Sequence, residues 1–178
     1  MLDFDEIVSG RLWVGGRVGE KDMPQLKQMG ITTVVSLQTD EDLLHYGISP
    51  AGLARAYREA GIELRRVPTP DFDREALRRN LPEAVAQVTE AFADPGTRLY
   101  LHCSVGINRS PTTAAGFLIR SRGISAREAC IWMTAKRDCS PTPDVLEEYE
   151  ADWRDRLRAE MDPNTAPRAS AAKEEHDA

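Results

Sequence analysis

Apolar positions along the chain follow two alternating rhythms. Runs dense in β-branched and aliphatic residues at 31–37 and 99–101 have the length and composition of interior strands, and 62–67 reads as a further strand. Nearer the start, Ile7, Leu12, Trp13 and Val14 suggest one or two further short strands ending at Gly15-Gly16. Between these runs, apolar residues recur at helical spacing. Asp22 with Pro24 opens a short helix that Gly30 ends. Ser49-Pro50 opens a second, with Leu53, Ala56, Tyr57 and Ala60 on one face and Gly61 at its close. The polar residues between them, 38–48, read as a loop. The stripe Leu81, Val85, Val88 and Phe92 predicts a helix starting near Asn80, with Pro82 in its first turn. Small and apolar residues from Thr112 to Ile119 read as a buried helix. A capping box, Ser125-Ala126-Arg127-Glu128, opens a helix to about Lys136. Thr142-Pro143 starts the last helix, with Leu146, Tyr149, Trp153 and Leu157 as its packed stripe. Strands alternating with helices imply right-handed crossovers. The expected fold class is therefore α/β, a single domain whose central, mostly parallel sheet is flanked by helices.

Two segments break the rhythm. Pro68-Thr69-Pro70-Asp71-Phe72-Asp73 suits neither helix nor interior strand, because proline removes donors and holds the backbone extended. It is expected to be an irregular loop presenting Asp71 and Asp73. From Asp162 the chain turns to Pro, Ala, Asn and charge with no apolar period. Residues 1–161 are accordingly read as the domain and 162–178 as a disordered tail.

Composition narrows the functional classes. The 178 residues, 41% hydrophobic and 29% charged, suit one soluble domain, expected as a monomer. A net charge of −6 argues against non-specific nucleic-acid binding and against a basic membrane-binding face. Attraction for an anionic substrate must then be local. Cys103, Cys130 and Cys139 include no C-x-x-C pair, which predicts neither a disulfide framework nor a zinc knuckle, and a reduced, cytoplasmic setting. The acidic start lacks the basic and apolar regions of a signal peptide, and no apolar stretch approaches the roughly 18 residues of a membrane span. The glycine cluster at 15–19 lacks the G-K-[ST] of a nucleotide loop and reads as a turn.

The stretch from Leu99 to Pro111 carries the chemistry. An apolar run stops at His102-Cys103, Arg109 follows six residues after the cysteine, and Ser110-Pro111 leads into the buried helix. Strand, tight loop and helix N-terminus in that order make an anion site, since loop N–H groups and the helix dipole face the loop. A phosphate there would be bound by the backbone of Ser104, Val105, Gly106, Ile107, Asn108 and Arg109, with the Arg109 guanidinium gripping two oxygens. The same field favours an ionised sulfur at Cys103. A buried thiol can also be inert; beside Arg109 and Ser110, attack on a phosphomonoester is the better reading. Such attack needs an acid for the leaving oxygen, and either Asp71 or Asp73 could serve. Ser110 can donate a hydrogen bond to the sulfur. No metal or cofactor is called for, because Arg109 and the amides neutralise the phosphate oxygens, and His102 has no partner spaced for metal ligation.

His102-Cys103 with Arg109-Ser110, a His-Cys-x5-Arg-Ser pattern, resembles the signature of the cysteine-dependent protein tyrosine phosphatase superfamily in its dual-specificity branch. The resemblance implies that family's fold and a cysteinyl-phosphate intermediate. It also implies a His102 that orders the loop and helps keep the thiol ionised. It selects Asp71 as the acid, which precedes the cysteine by the family's usual interval (103 − 71 = 32). Residues 35–40 and 42–47, 71–73 and 77–82, and 136–141 are similar to the plant starch-type glucan phosphatases, related in activity to laforin. The implied partner is a phosphorylated protein, bearing phosphotyrosine or phosphoserine/threonine, or a phosphoglucan. Tyr46 and Phe72 match positions whose aromatics stack on sugar. This chain departs from that pattern at His45, Asn108 and Ser140. Two other classes stand beside it: a non-catalytic phosphate-binding module of the same fold, and a rhodanese-like or redox thiol enzyme using Cys130 or Cys139.

Overall fold

The computed structural model describes residues 2–161. In chain order these form β1 (Phe4–Val8), β2 (Leu12–Gly15), α1 (Met23–Gln28), β3 (Thr33–Ser36), α2 (Asp40–His45), α3 (Pro50–Ala60), β4 (Glu63–Arg66), α4 (Arg74–Phe92), β5 (Leu99–His102), α5 (Arg109–Arg122), α6 (Ala126–Lys136) and α7 (Pro143–Met161). The strands make one sheet in the order β1-β2-β5-β3-β4. Only the β1–β2 pair is antiparallel; β2–β5, β5–β3 and β3–β4 run parallel. This is the single α/β domain with a mostly parallel sheet that the alternating pattern predicts.

Strand periodicity sorts the core into two layers. Leu12, Val14, Val35, Leu99 and Leu101 face one side, with Leu81, Val85 and Val88 of α4 and Ala114, Ala115 and Leu118 of α5. Trp13, Val34 and Tyr100 face the other, with Leu26 of α1, Leu43 of α2 and Leu53 and Tyr57 of α3. All four residues of β2, β3 and β5 are buried, which is why these strands read as continuous apolar runs. Central β5 therefore ends at His102 in the middle of the sheet, with the chain leaving straight into a loop and α5. In parallel α/β sheets this carboxyl edge is where ligands bind.

Two elements differ from the sequence reading. The fourth helix starts at Arg74, not near Asn80, and Pro82 lies in its interior. Asp73 caps it, its carboxylate accepting from the Ala76 N–H at 2.8 Å, and Ala76 and Leu77 extend the buried stripe one turn earlier. Cap and burial together outweigh the hydrogen bond that Pro82 forfeits, a defect of about 3 kcal/mol in a helix interior. The stretch read as a polar loop contains α2. A reciprocal capping box starts it: the Thr39 hydroxyl accepts from Asp42 N–H, and the Asp42 carboxylate from Thr39 N–H. With Leu43 its one buried residue, α2 shows no apolar stripe to read. The tail expected from residue 162 lies outside the described residues, among which no helix is long and apolar enough to cross a membrane.

Candidate active site

The loop from Cys103 to Asn108 joins central β5 to buried α5. Gly106 turns it with φ of 72°, a region where side chains are strained. Cys103 is buried, and its sulfur accepts from the Gly106 N–H and from the Ser110 hydroxyl, both at 3.3 Å. Four loop carbonyls are tied elsewhere. Cys103 O accepts from His102 Nδ1 at 3.1 Å, Ser104 O from Arg17 N–H at 3.1 Å, Gly106 O from Arg137 Nε at 2.8 Å and Ile107 O from Ser140 N–H at 2.8 Å. In a trans peptide the next N–H points opposite to the carbonyl. The amides of Ser104, Val105, Ile107 and Asn108 are thereby turned away from those partners, as an anion nest requires.

Arg109 opens α5, and only 2% of its surface is exposed. Its Nη1 donates to Asp42 Oδ2 and to the Thr69 carbonyl, each at 2.7 Å. Its Nη2 donates to Asp71 Oδ2 at 2.7 Å and to Ser104 Oγ at 2.9 Å. Nε is buried without a partner among the described residues. Burial by itself pushes the Asp42 carboxyl up, but Arg109 and the Thr39 N–H outweigh it and hold that carboxyl below its ordinary value. His102 is fully buried, and desolvation, with Arg109 and Arg66 adding to it, lowers its imidazole to about 4 despite the Cys103 carbonyl. A carbonyl can only accept, so neutral His102 carries its proton on Nδ1. It orders the loop through that bond and contributes no positive charge at neutral pH.

The structure thus brings together Cys103, Arg109, Ser110, His102 and Asp71. Asp73 is engaged instead in capping α4. Two cavities flank the loop. One of about 500 Å³ is lined by Arg17, Lys21, Tyr46, Ile48, Ser104 and Val105, among others. The other, of about 380 Å³, is lined by Asp71, Phe72, Leu77, Asn108, Arg109 and Thr142 with their neighbours. Tyr46 and Phe72 therefore line different cavities. The Arg17 guanidinium lies over the Tyr46 ring, 4.0 Å from its centroid, and His45 packs edge-on against that ring. Phe72 is fully exposed and holds φ of 57°, unusual for a bulky side chain. Departing residues Asn108 and Ser140 meet: Asn108 Nδ2 donates to Ser140 O at 2.8 Å and Thr142 Oγ1 at 2.9 Å. Cys130 and Cys139 pack at the core's edge, where burial raises both thiols.

Residues 12–148 match the dual specificity phosphatase catalytic domain. The chain belongs to that family. A phosphoglucan phosphatase of Castanea sativa, named DSP4 and amyloplastic, is 29% identical over 144 residues, covering 79% of this chain and 38% of that protein. Laforin of Mus musculus is 27% identical over 138 residues, covering 71% of this chain and 42% of that protein. The chain spans about two fifths of the length of these relatives. Among solved structures, PTPMT1 superposes with a TM-score of 0.71 at 21% identity, covering 87% of this chain and 98% of that one, which shows a shared fold.

Sequence reasoning missed several residues that meet the family's loop here. Asp42, the Thr69 carbonyl, Gln38 (Nε2 to Ser104 Oγ, 3.2 Å), Arg17 and Arg137 all reach it from other elements. Asp42 carried a local signal, the Thr39-x-x-Asp42 capping pattern.

Proposed function

We propose that this chain is a cysteine-dependent phosphomonoester hydrolase, residues 1–161 forming its catalytic unit. The observation that carries the reading is one cluster: a buried sulfur 3.3 Å from a loop amide and from a hydroxyl, on the loop that runs into a buried arginine reaching Asp71. In this mechanism the Cys103 thiolate attacks phosphorus while the bond to the leaving oxygen breaks. Protonated Asp71 gives that oxygen its proton. Asp71, now a carboxylate, takes a proton from water as the water attacks the cysteinyl-phosphate. The S–P bond then breaks, and the Ser110 hydroxyl stabilises the departing thiolate. Arg109 and the loop amides hold the charge on the three non-bridging oxygens throughout. Asp71 is favoured over Asp73 because the latter's carboxylate is occupied at the start of α4.

The substrate is a phosphorylated protein or a phosphoglucan, in a reduced, cytoplasmic setting. Support for the glucan comes from a relative so named and from aromatic residues Tyr46 and Phe72, which line the two cavities beside the loop. Turnover of p-nitrophenyl phosphate without added metal tests the chemistry. Wild-type activity should fall by more than about 1,000-fold in Cys103→Ser; equal rates in the two would refute the mechanism, and a wild type without turnover would leave the phosphate-binding module. Tyr46→Ala and Phe72→Ala should lower release of phosphate from phosphorylated amylopectin while sparing the aryl substrate. Uniform loss on both would count against sugar stacking.

A further inference from the structure

Arg109 is shared between two carboxylates, and their settings differ. Asp42 is fixed: it lies in the capping box of α2, its Oδ2 accepting from Thr39 N–H at 3.0 Å as well as from Arg109, and its side chain is 16% exposed. Asp71 lies on the proline-bounded loop beside strained Phe72. Its side chain is 26% exposed, and its other contact is with the Phe72 N–H next to it in the chain.

The guanidinium has distinct edges. Asp42 and the Thr69 carbonyl use Nη1, whereas Asp71 and Ser104 Oγ use Nη2. Nε is buried and unpartnered among the described residues. A two-point grip on an oxyanion through the Nε–Nη2 edge draws on Nη2, which Asp71 and Ser104 Oγ occupy, and leaves the Asp42 corner at Nη1 untouched. From this geometry we infer that Asp42 is the positioning residue that holds Arg109 for phosphate, while Asp71 is an exchangeable occupant of the phosphate's own edge. The inference rests on the phosphatase reading of the site. It gives the paired carboxylates separate tasks: Asp42 keeps its bond through the catalytic cycle, and Asp71 exchanges its bond for contact with the substrate's leaving oxygen. Neutralising Asp42 frees a buried arginine to turn away from the loop; neutralising Asp71 removes a rival of the bound anion.

The test measures binding of inorganic phosphate by calorimetry, with KM and kcat on p-nitrophenyl phosphate. Asp42→Asn should weaken phosphate binding roughly 10- to 100-fold and raise KM more than it lowers kcat. Asp42→Glu should recover part of the affinity. Asp71→Asn should bind phosphate at least as tightly as wild type while losing kcat. Thr39→Ala removes the hydroxyl that caps α2 but leaves the Asp42–Arg109 pair; it should lower the melting temperature without changing phosphate affinity. Wild-type affinity in Asp42→Asn, or an equal loss of affinity in Thr39→Ala, overturns the inference. Wild-type protein that binds phosphate without turnover defeats the catalytic reading alone, and the affinity comparison still decides the role of Asp42.

Discussion

Arg137→Met tests how the phosphate loop is held from outside. The Arg137 side chain is 4% exposed and donates through Nε to the Gly106 carbonyl at 2.8 Å, through Nη2 to Asp3 at 2.7 Å and through Nη1 to Asp5 at 2.8 Å. The carboxylates are 76% and 44% exposed, so each pair contributes no more than ~1 kcal/mol. Loss of the third contact leaves a buried carbonyl without its charged donor, at about 1–3 kcal/mol. Methionine fills much of the volume of the arginine stem, which keeps any cavity small. The total is about 1–5 kcal/mol, or a fall in Tm of roughly 2–20 °C for a chain of this size. Function should suffer beyond stability, because Gly106, whose carbonyl Arg137 anchors, also presents the N–H of its preceding peptide to the Cys103 sulfur. We expect kcat/KM on p-nitrophenyl phosphate to drop about 10- to 100-fold at a temperature where the variant is folded. The Asp3→Asn/Asp5→Asn double variant keeps the loop contact and should stay within about threefold of wild type. Thermal melting and steady-state kinetics on both variants decide the matter. Wild-type kinetics in Arg137→Met, or an equal loss in the double variant, would show that the carbonyl contact does not set the loop.

Three further outcomes follow from the same geometry. Gly106→Ala would place a methyl 2.5 Å from the Gly15 carbonyl carbon and 2.7 Å from an Arg137 nitrogen, at φ of 72°; kcat/KM should fall more than about 100-fold. Gly10→Ala, with φ of 68° and nothing within 4 Å of the new methyl, should cost about 1 kcal/mol and no activity, so matching kinetics in the two would refute the steric argument. Because His102 is depressed to about 4 in the fold, the unfolded chain binds more protons between that value and its ordinary 6.5. Stability should therefore rise with pH across that window, by on the order of 3 kcal/mol, and urea midpoints for His102→Gln should show a shallower rise. An unchanged slope would argue that His102 is not the group responsible. Phe72→Asn relieves a left-handed backbone at an exposed ring, so Tm should hold or increase while activity on phosphorylated amylopectin falls. A clear drop in Tm would mean that the ring supports the fold.

Local sequence carries more of this fold than of its site. Buried strands announce themselves as apolar runs, and Ser49, Ser125 and Gly61 mark helix ends because cap chemistry is confined to a few neighbouring residues. The same locality makes the stretch from His102 to Ser110 readable as an anion loop. It misleads at Pro82, where a residue suited to a first turn sits mid-helix because the Asp73 cap and the burial of Leu77 prevail. It also misses α2, whose stability comes from reciprocal caps and one buried leucine.

Short-range arrangements are legible in the chain alone: alternating elements, the cysteine-to-arginine spacing, and a proline-bounded loop with two aspartates. Tertiary structure alone decided which of those aspartates meets Arg109, that Asp42 meets it too, and that Arg137, 31 residues beyond Gly106, holds the loop from behind. The reason is physical. A buried guanidinium needs several acceptors in fixed directions, and only packing of β5 between β2 and β3 brings segments so far apart in the chain to its edges.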